Sequence, residues 1–305
     1  MRFGLPYKGS KNSIADWIIK ELPGADVFVD LFFGGGAVTH AGILSGKYKR
    51  FIVNDIDARL PRLFLECAQG MHTVEKHPEW ITREEFNARK KEDAYIALVW
   101  SFGNNGKDYL YGVDIEDMKR AYHKAVYFDD IDALKPYGYI LSRSDKKGVY
   151  DRYLEYQRQI KKQEPNMQLE IVTRQVEIER LQSLQGLQSL QAFGTDYQQV
   201  PIPSGALIYC DIPYNSTNCG KYNGFNHQRF YEWADKQENI FISEYSMPAD
   251  FVPIAKKEKV VLSSADGNGL KAEEYIFTNK RTYDKLDDEI KWRINCNLSE
   301  QMTFF

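Results

Sequence analysis

No two of the four cysteines in this 305-residue chain form a CxxC pair; Cys67, Cys210, Cys219 and Cys296 are scattered. Scattered thiols exclude a disulfide framework and a zinc module, whose ligands cluster at short spacings, and suit free thiols in a reducing compartment. No metal is therefore expected. Long apolar runs are also missing. No stretch approaches the roughly 18 residues that span a bilayer. Met1-Arg2-Phe3-Gly4-Leu5-Pro6 lacks the apolar core of a signal peptide. A cytoplasmic chain with no membrane partner is expected. A strong charge of one sign is lacking too, with a net charge of −3 and a pI near 6.0. A non-specific nucleic-acid coater would be strongly basic. An enzyme with a local basic face is not excluded, because an acidic remainder hides such a face in the sum.

What is present is a large apolar content, 43%, beside an ordinary 27% of charged residues. The length suits one large α/β domain, or a catalytic domain with a smaller one inserted. Four short apolar runs end in an acid or an acid-containing pair: Asp26–Asp30, Phe51–Asp55, Ala206–Asp211 and Asn239–Glu244. Continuous runs rich in β-branched and aromatic residues suit strands buried on both faces, and hence a parallel sheet between helices. In such sheets ligands bind at the carboxyl edge, so the acids would line one crevice.

Between the second and third runs the pattern changes. Residues 58–194 are rich in charged and amide side chains, and Tyr150 to Gln191 reads as helical, broken at Pro165. A short repeat, Leu181-Gln182-Ser183-Leu184-Gln185 then Leu187-Gln188-Ser189-Leu190-Gln191, lies inside that stretch. It reads as part of a helical stalk, a solenoid turn, or a duplicated surface segment; one pair is too little for a repeat architecture. The expected organisation is discontinuous, with residues 1–57 and 195–305 forming the α/β domain and 58–194 an insertion.

Asp30-Leu31-Phe32-Phe33-Gly34-Gly35-Gly36 follows a predicted strand, and Ala37-Val38-Thr39-His40-Ala41 can begin a helix. Glycines at that junction permit a tight turn and close approach to a bulky ligand. Asp55 ends the next strand about 20 residues on, the offset of an acid that accepts hydrogen bonds from a ribose diol. The glycines do not spell GxGxxG, so the site suits a nucleoside without a pyrophosphate, such as S-adenosylmethionine.

Asp211-Ile212-Pro213-Tyr214 follows the third strand. An exocyclic amine such as adenine N6 is a poor nucleophile, because its lone pair is conjugated into the ring. A carboxylate and a backbone carbonyl that accept its two N–H bonds pull the nitrogen toward a tetrahedral form and free the pair. Pro213 would stiffen the loop, and Tyr214 can stack on a base taken out of a helix.

Together these motifs resemble the Dam-type (D12) class of DNA adenine-N6 methyltransferases, phage versions included. Tyr7-Lys8-Gly9-Ser10-Lys11 is similar to the family's N-terminal motif, which implies Tyr7 and Lys11 near the methionine part of the cofactor. Asp30, Phe32, Gly34 and Gly36 match its glycine motif, Asp55 its ribose acid, and Asp196-Tyr197 its acid–aromatic pair at the cofactor adenine. Asp211, Ile212, Pro213 and Tyr214 match its catalytic Asp-Pro-Pro-Tyr, with isoleucine in place of the first proline. The polar loop Ser101–Gly106, with Asn104 and Asn105, resembles a family loop near the DNA.

The resemblance implies a Rossmann-like class I methyltransferase sheet with helices on both faces and an inserted, mainly helical target-recognition domain. It implies S-adenosylmethionine as cofactor and double-stranded DNA as partner. It leaves the setting open between a restriction endonuclease partner, phage protection and regulation, and a monomer suffices for one flipped base. Candidate phosphate contacts in the insertion are Lys119, Arg120, Lys124, Arg143, Lys146 and Lys147. Two alternatives stand beside this reading: an amino methyltransferase for cytosine N4, RNA or protein glutamine, and a relative that binds DNA without chemistry.

Overall fold

The computed structural model describes residues 2–184, 187–214, 224–261, 270–291 and 294; Cys219 and Cys296 lie outside the described residues, as does Gln185 of the first repeat copy. The chain divides into two compact units. One comprises Met1–Ser13, Gly34–Ala37 and Arg59–Leu187, the other Ile14–Phe33, Val38–Ala58 and Gln188–Phe305. No described helix is long and apolar enough to cross a membrane.

The strands are β1 (Val27–Asp30), β2 (Arg50–Asn54), β3 (Leu190–Phe193), β4 (Leu207–Asp211), β5 (Ile240–Glu244), β6 (Phe251–Val261) and β7 (Leu270–Asn279). The helices α1 (Ala15–Glu21) and α2 (Ala37–Ser45) stand before and after β1 in the chain. Among the described residues, six α-helices fall between β2 and β3: α3 (Arg59–Ala68), α4 (Arg83–Arg89), α5 (Ala94–Val99), α6 (Val113–Phe128), α7 (Val149–Lys161) and α8 (Glu170–Glu179). Then come α9 (His227–Ala234) and α10 (Lys280–Lys285).

All seven strands form one sheet in the order β3-β2-β1-β4-β5-β7-β6. The pairs from β3 through β5 are parallel, and β7 runs antiparallel to both β5 and β6. This is a Rossmann-like sheet, as the apolar runs imply. Side chains alternate across it. Val27, Val29, Ile52, Ile208, Cys210, Ile240 and Ile242 share one face with Phe230 and Ala234 of α9. Phe28, Phe51 and Tyr209 lie on the other, where the Phe28 ring meets those of Phe51, Tyr209 and Tyr48, and Tyr48 also meets Phe51. There α2 presents Gly42, whose missing Cβ would stand 3.2 Å from the Phe51 ring. The two helices take opposite faces, as the right-handed crossover rule requires of connections β1→β2 and β4→β5 that step in opposite directions across the sheet.

The other unit packs a strongly aromatic interior in which Phe64, Phe86, Trp100, Tyr122 and Tyr156 are fully buried. Its helices α7 and α8 lie either side of Pro165, where the sequence placed a break. The helical expectation fails at its far end. Past Glu179 the chain makes short 3-10 turns at Arg180–Ser183 and Leu187–Ser189, and Leu190-Gln191 of the second repeat copy belongs to strand β3. The open edge of β2 decides this: Phe51 pairs with Leu190 and Ile52 with Gln191, so backbone ladder bonds override local propensity.

Candidate active site

In the order 2-1-4-5 the chain reverses direction across the sheet between β1 and β4, the point at which open α/β sheets bind ligands. Asp30 ends β1 and Asp211 ends β4. Asp30 is 2% exposed. Its Oδ2 accepts the Thr39 hydroxyl at 2.7 Å, while its Oδ1 is buried with no hydrogen-bond partner among the described residues. Burial above all, with the Thr39 hydrogen bond opposing and the charges of Asp211 and Asp55 adding, pushes this carboxyl up to about 7. Three acids of the predicted crevice thus converge on one sheet edge.

Asp55 is 4% exposed, and its Oδ1 accepts the Asp57 N–H at 2.9 Å in a side-chain turn just after β2. Its neighbour Asn54 ties the edge together. The Asn54 amide donates to the Leu31 and Thr195 carbonyls, both at 3.1 Å, and its oxygen accepts the Thr195 N–H at 3.0 Å. That knot delivers the next residue, Asp196, to the same end of the sheet. Asp196 caps its own turn by accepting the Gln198 N–H at 3.0 Å. Arg229 grips the carboxylate with contacts of 2.9 and 3.3 Å, and its guanidinium lies 5.6 Å from the Tyr197 ring centre. Phe32 meets Tyr197 at 5.4 Å, Phe225 at 5.6 Å and Phe230 at 5.7 Å. The acid–aromatic pair and the glycine-motif phenylalanine therefore share one cluster.

The Asp211–Tyr214 loop leaves β4 beside β5, where Asp211 pairs with Ser243. Ile212 turns its side chain into the sheet core and is 1% exposed. The Pro213 carbonyl lies 2.7 Å from His227 Nε2 at the start of α9. The Tyr214 hydroxyl donates to the buried Glu274 of β7, and its ring meets Tyr245 edge-on at 4.5 Å. Burial, with the charges of Asp211 and Glu274, holds the Tyr214 hydroxyl well above its ordinary range, so it is a neutral donor.

Residues 2–13 and 34–37 form a second local arrangement, within the other unit. The Leu5 N–H donates to the Gly35 carbonyl at 2.7 Å. A Cβ on Gly35 would sit 2.7 Å from Tyr7 Cβ and 2.9 Å from the Leu5 carbonyl, so glycine is needed for this backbone approach. Tyr7 packs its ring at Gly34, Gly34 and Gly36 have positive φ, and Lys11 is buried. The Lys8 N–H reaches the Asn104 carbonyl at 3.3 Å, which joins the N-terminal motif to the Asn/Gly loop.

In that loop both asparagines make local side-chain hydrogen bonds. Asn104, at φ 55°, donates its amide to the Leu98 carbonyl at 2.9 Å, and Asn105 bonds Asp108 at 2.8 Å. Arg174 donates to the Val99 and Ser101 carbonyls at 2.7 Å each and holds the loop's entry. Lys119, a candidate phosphate contact, is 5% exposed and ion-paired to Glu170 at 3.0 Å, so it is not a surface cation. Arg143 leans on Asp129 at 3.4 Å and Lys146 on Asp145 at 3.4 Å, and both are exposed. Arg120, Lys124 and Lys147 are exposed too.

Thr39, Asn54, Arg174, His227, Arg229 and Glu274 escape the sequence reading. Asn54 and Thr39 sit inside motifs already singled out, and their polarity in apolar surroundings was the available signal. The other four are single polar residues far from any motif. A family model for the D12 class N6 adenine-specific DNA methyltransferases matches residues 7–273. No curated protein matches the chain.

Proposed function

The chain belongs to the D12 class N6 adenine-specific DNA methyltransferase family, and from that membership we propose that it transfers a methyl group from S-adenosylmethionine to N6 of an adenine flipped out of duplex DNA. The observation that carries this reading is Asp211-Ile212-Pro213-Tyr214 at the end of β4, next to the buried Asp30 of β1 at the sheet's switch point.

The chemistry of the acid cluster fits the cofactor. S-adenosylmethionine is a net cation, and the Asp30 Oδ1, buried with no hydrogen-bond partner among the described residues, with the Asp55 and Asp211 carboxylates nearby favours a cation there. When bound, the cofactor supplies an electrophilic methyl carbon. Asp55 would accept its ribose hydroxyls, and Asp196 with Tyr197 and Phe32 would hold its adenine. The resemblance alone assigns Tyr7, Lys11, Gly34 and Gly36 to the same ligand. At the target base, Asp211 and the Ile212 carbonyl accept the two N–H bonds of N6 and free its lone pair, while Tyr214 stacks on the ring. Residues 58–194 would recognise the DNA sequence, with Arg120, Lys124, Arg143, Lys146 and Lys147 as phosphate contacts.

The test is methyl transfer from labelled cofactor to unmethylated duplex DNA, followed by nucleoside analysis. Label in N6-methyladenine is expected; label in N4-methylcytosine or only in protein sinks the reading. Asp211→Ala should still bind cofactor, weakened only by the loss of one neighbouring carboxylate, and transfer nothing.

A further inference from the structure

Ile212 does not fix its own φ as a proline ring would, yet the loop is braced elsewhere. The Pro213 carbonyl oxygen lies 2.7 Å from His227 Nε2. A carbonyl has no hydrogen to give, so Nε2 carries the hydrogen and donates it. Both the neutral Nε2–H ring and the imidazolium present that hydrogen, so the contact does not depend on the ring's charge. His227 is itself held firmly. It opens α9, whose cap Asn226 accepts the Arg229 N–H at 2.9 Å. The Phe225 ring stands edge-on to the imidazole at 4.9 Å, and Phe230 anchors the helix in the sheet core. On the other side of Pro213, the Ile212 side chain is locked in that same core, and a following proline confines Ile212 to extended backbone.

We propose that His227 is a positioning residue of the catalytic loop: its Nε2–H fixes the Pro213 peptide and thereby aims the Ile212 carbonyl, the bracing that a proline ring at that position would otherwise supply. The proposal rests on the methyl-transfer reading, in which that carbonyl accepts one N6 hydrogen. Loss of the clamp lets the loop turn and misdirects the acceptor, while the cofactor's acids on β1 and β2 are untouched. The effect therefore falls on kcat and not on the KM for cofactor.

The experiment compares His227→Ala and His227→Gln, each alone and with Ile212→Pro, in steady-state transfer to duplex DNA and in thermal unfolding. His227→Ala should lower kcat about tenfold, with the cofactor KM unmoved. His227→Gln, whose amide nitrogen reaches as far as Nε2, should recover most of that loss. With Ile212→Pro present, the same His227→Ala change should cost distinctly less. Equal losses in both backgrounds, or a loss confined to the cofactor KM, overturn the clamp. A wild-type protein that puts no methyl on adenine refutes the functional reading instead. The clamp is then judged by the unfolding cycle alone: coupling between Ile212 and His227 keeps it, and additivity removes it.

Discussion

Tyr214 gives its hydroxyl hydrogen to the carboxylate of Glu274, a residue 60 positions further along the chain and buried on β7. A strand that runs antiparallel to its neighbours thus orients the aromatic ring of the catalytic loop, and Tyr245 closes on that ring edge-on at 4.5 Å. Glu274→Ala should leave the hydroxyl without this acceptor. The expected cost is about 1–3 kcal/mol in urea unfolding and about a tenfold drop in kcat. Glu274→Gln keeps an acceptor oxygen and should restore most of both. Wild-type turnover in Glu274→Ala would mean that the ring is aimed without this bond.

Asp30 makes a pH signature. Its carboxyl is raised from 3.8 to about 7, so between those values the folded protein holds a proton that the unfolded chain has released. The stability this group contributes is full below about pH 4, falls as pH rises through that window, and levels above about 7. Asp30→Asn should abolish that component. Across the window, wild type minus mutant should change by on the order of 2–4 kcal/mol, read from denaturant melts at a series of pH values. Cofactor affinity should move the other way and rise as Asp30 ionises, since a cation prefers the carboxylate. A pH-independent difference between the two proteins would dismiss the shift.

The Arg229–Asp196 contact should matter for binding more than for folding. Its side chains are 50% and 31% exposed, so the pair is worth about 0–1 kcal/mol of stability. Arg229→Ala should scarcely move Tm. Its cofactor Kd, measured by calorimetry, should rise several-fold, because Asp196 loses the partner that orients it. An unchanged Kd would place Asp196 outside the adenine site.

Basic residues of the α3–α8 unit should separate into two classes. Lys119→Met breaks an ion pair with Glu170 and should cost about 1–3 kcal/mol of stability, with no change in the salt dependence of DNA binding. Lys146 and Lys147 stand on a segment whose carbonyls Arg152 ties to those of Val126 and Tyr127, and both side chains are exposed. Their joint replacement by glutamine should flatten the slope of log K against log salt by about 0.9 for each phosphate left without its cation. An unchanged slope would remove them from the DNA interface.

The parallel half of the sheet was legible because each of its inner strands is buried on both faces and so reads as an unbroken apolar run. Val27–Asp30 and Leu207–Asp211 are of this kind. Strand β3 was not legible: Leu190–Phe193 is a half-exposed edge segment inside a glutamine-rich repeat, and only the ladder to β2 makes it a strand. Strands β6 and β7 carry Lys256, Lys257, Glu258, Glu273 and Glu274 in their middles. Charge there hid them: Glu258 and Glu273 are exposed, as one face of an antiparallel strand can be, while Glu274 is a buried acid that no apolar run announces.

By itself the sequence determined the chemistry available: an acid at the end of each of three strands, a glycine turn, and an acid–aromatic loop after β4. Those choices are local, because strand burial, turn geometry and side-chain type are written in consecutive residues. Only the tertiary structure decided which of them act together and what steadies them. Thr39 takes one oxygen of Asp30 and leaves the other buried with no hydrogen-bond partner among the described residues. Asn54 knots β1, β2 and the approach to Asp196, and Glu274 and His227 hold Tyr214 and Pro213. Such contacts join residues from 9 to 141 positions apart, and hydrogen bonding at such irregular separations leaves no periodicity for a sequence to display.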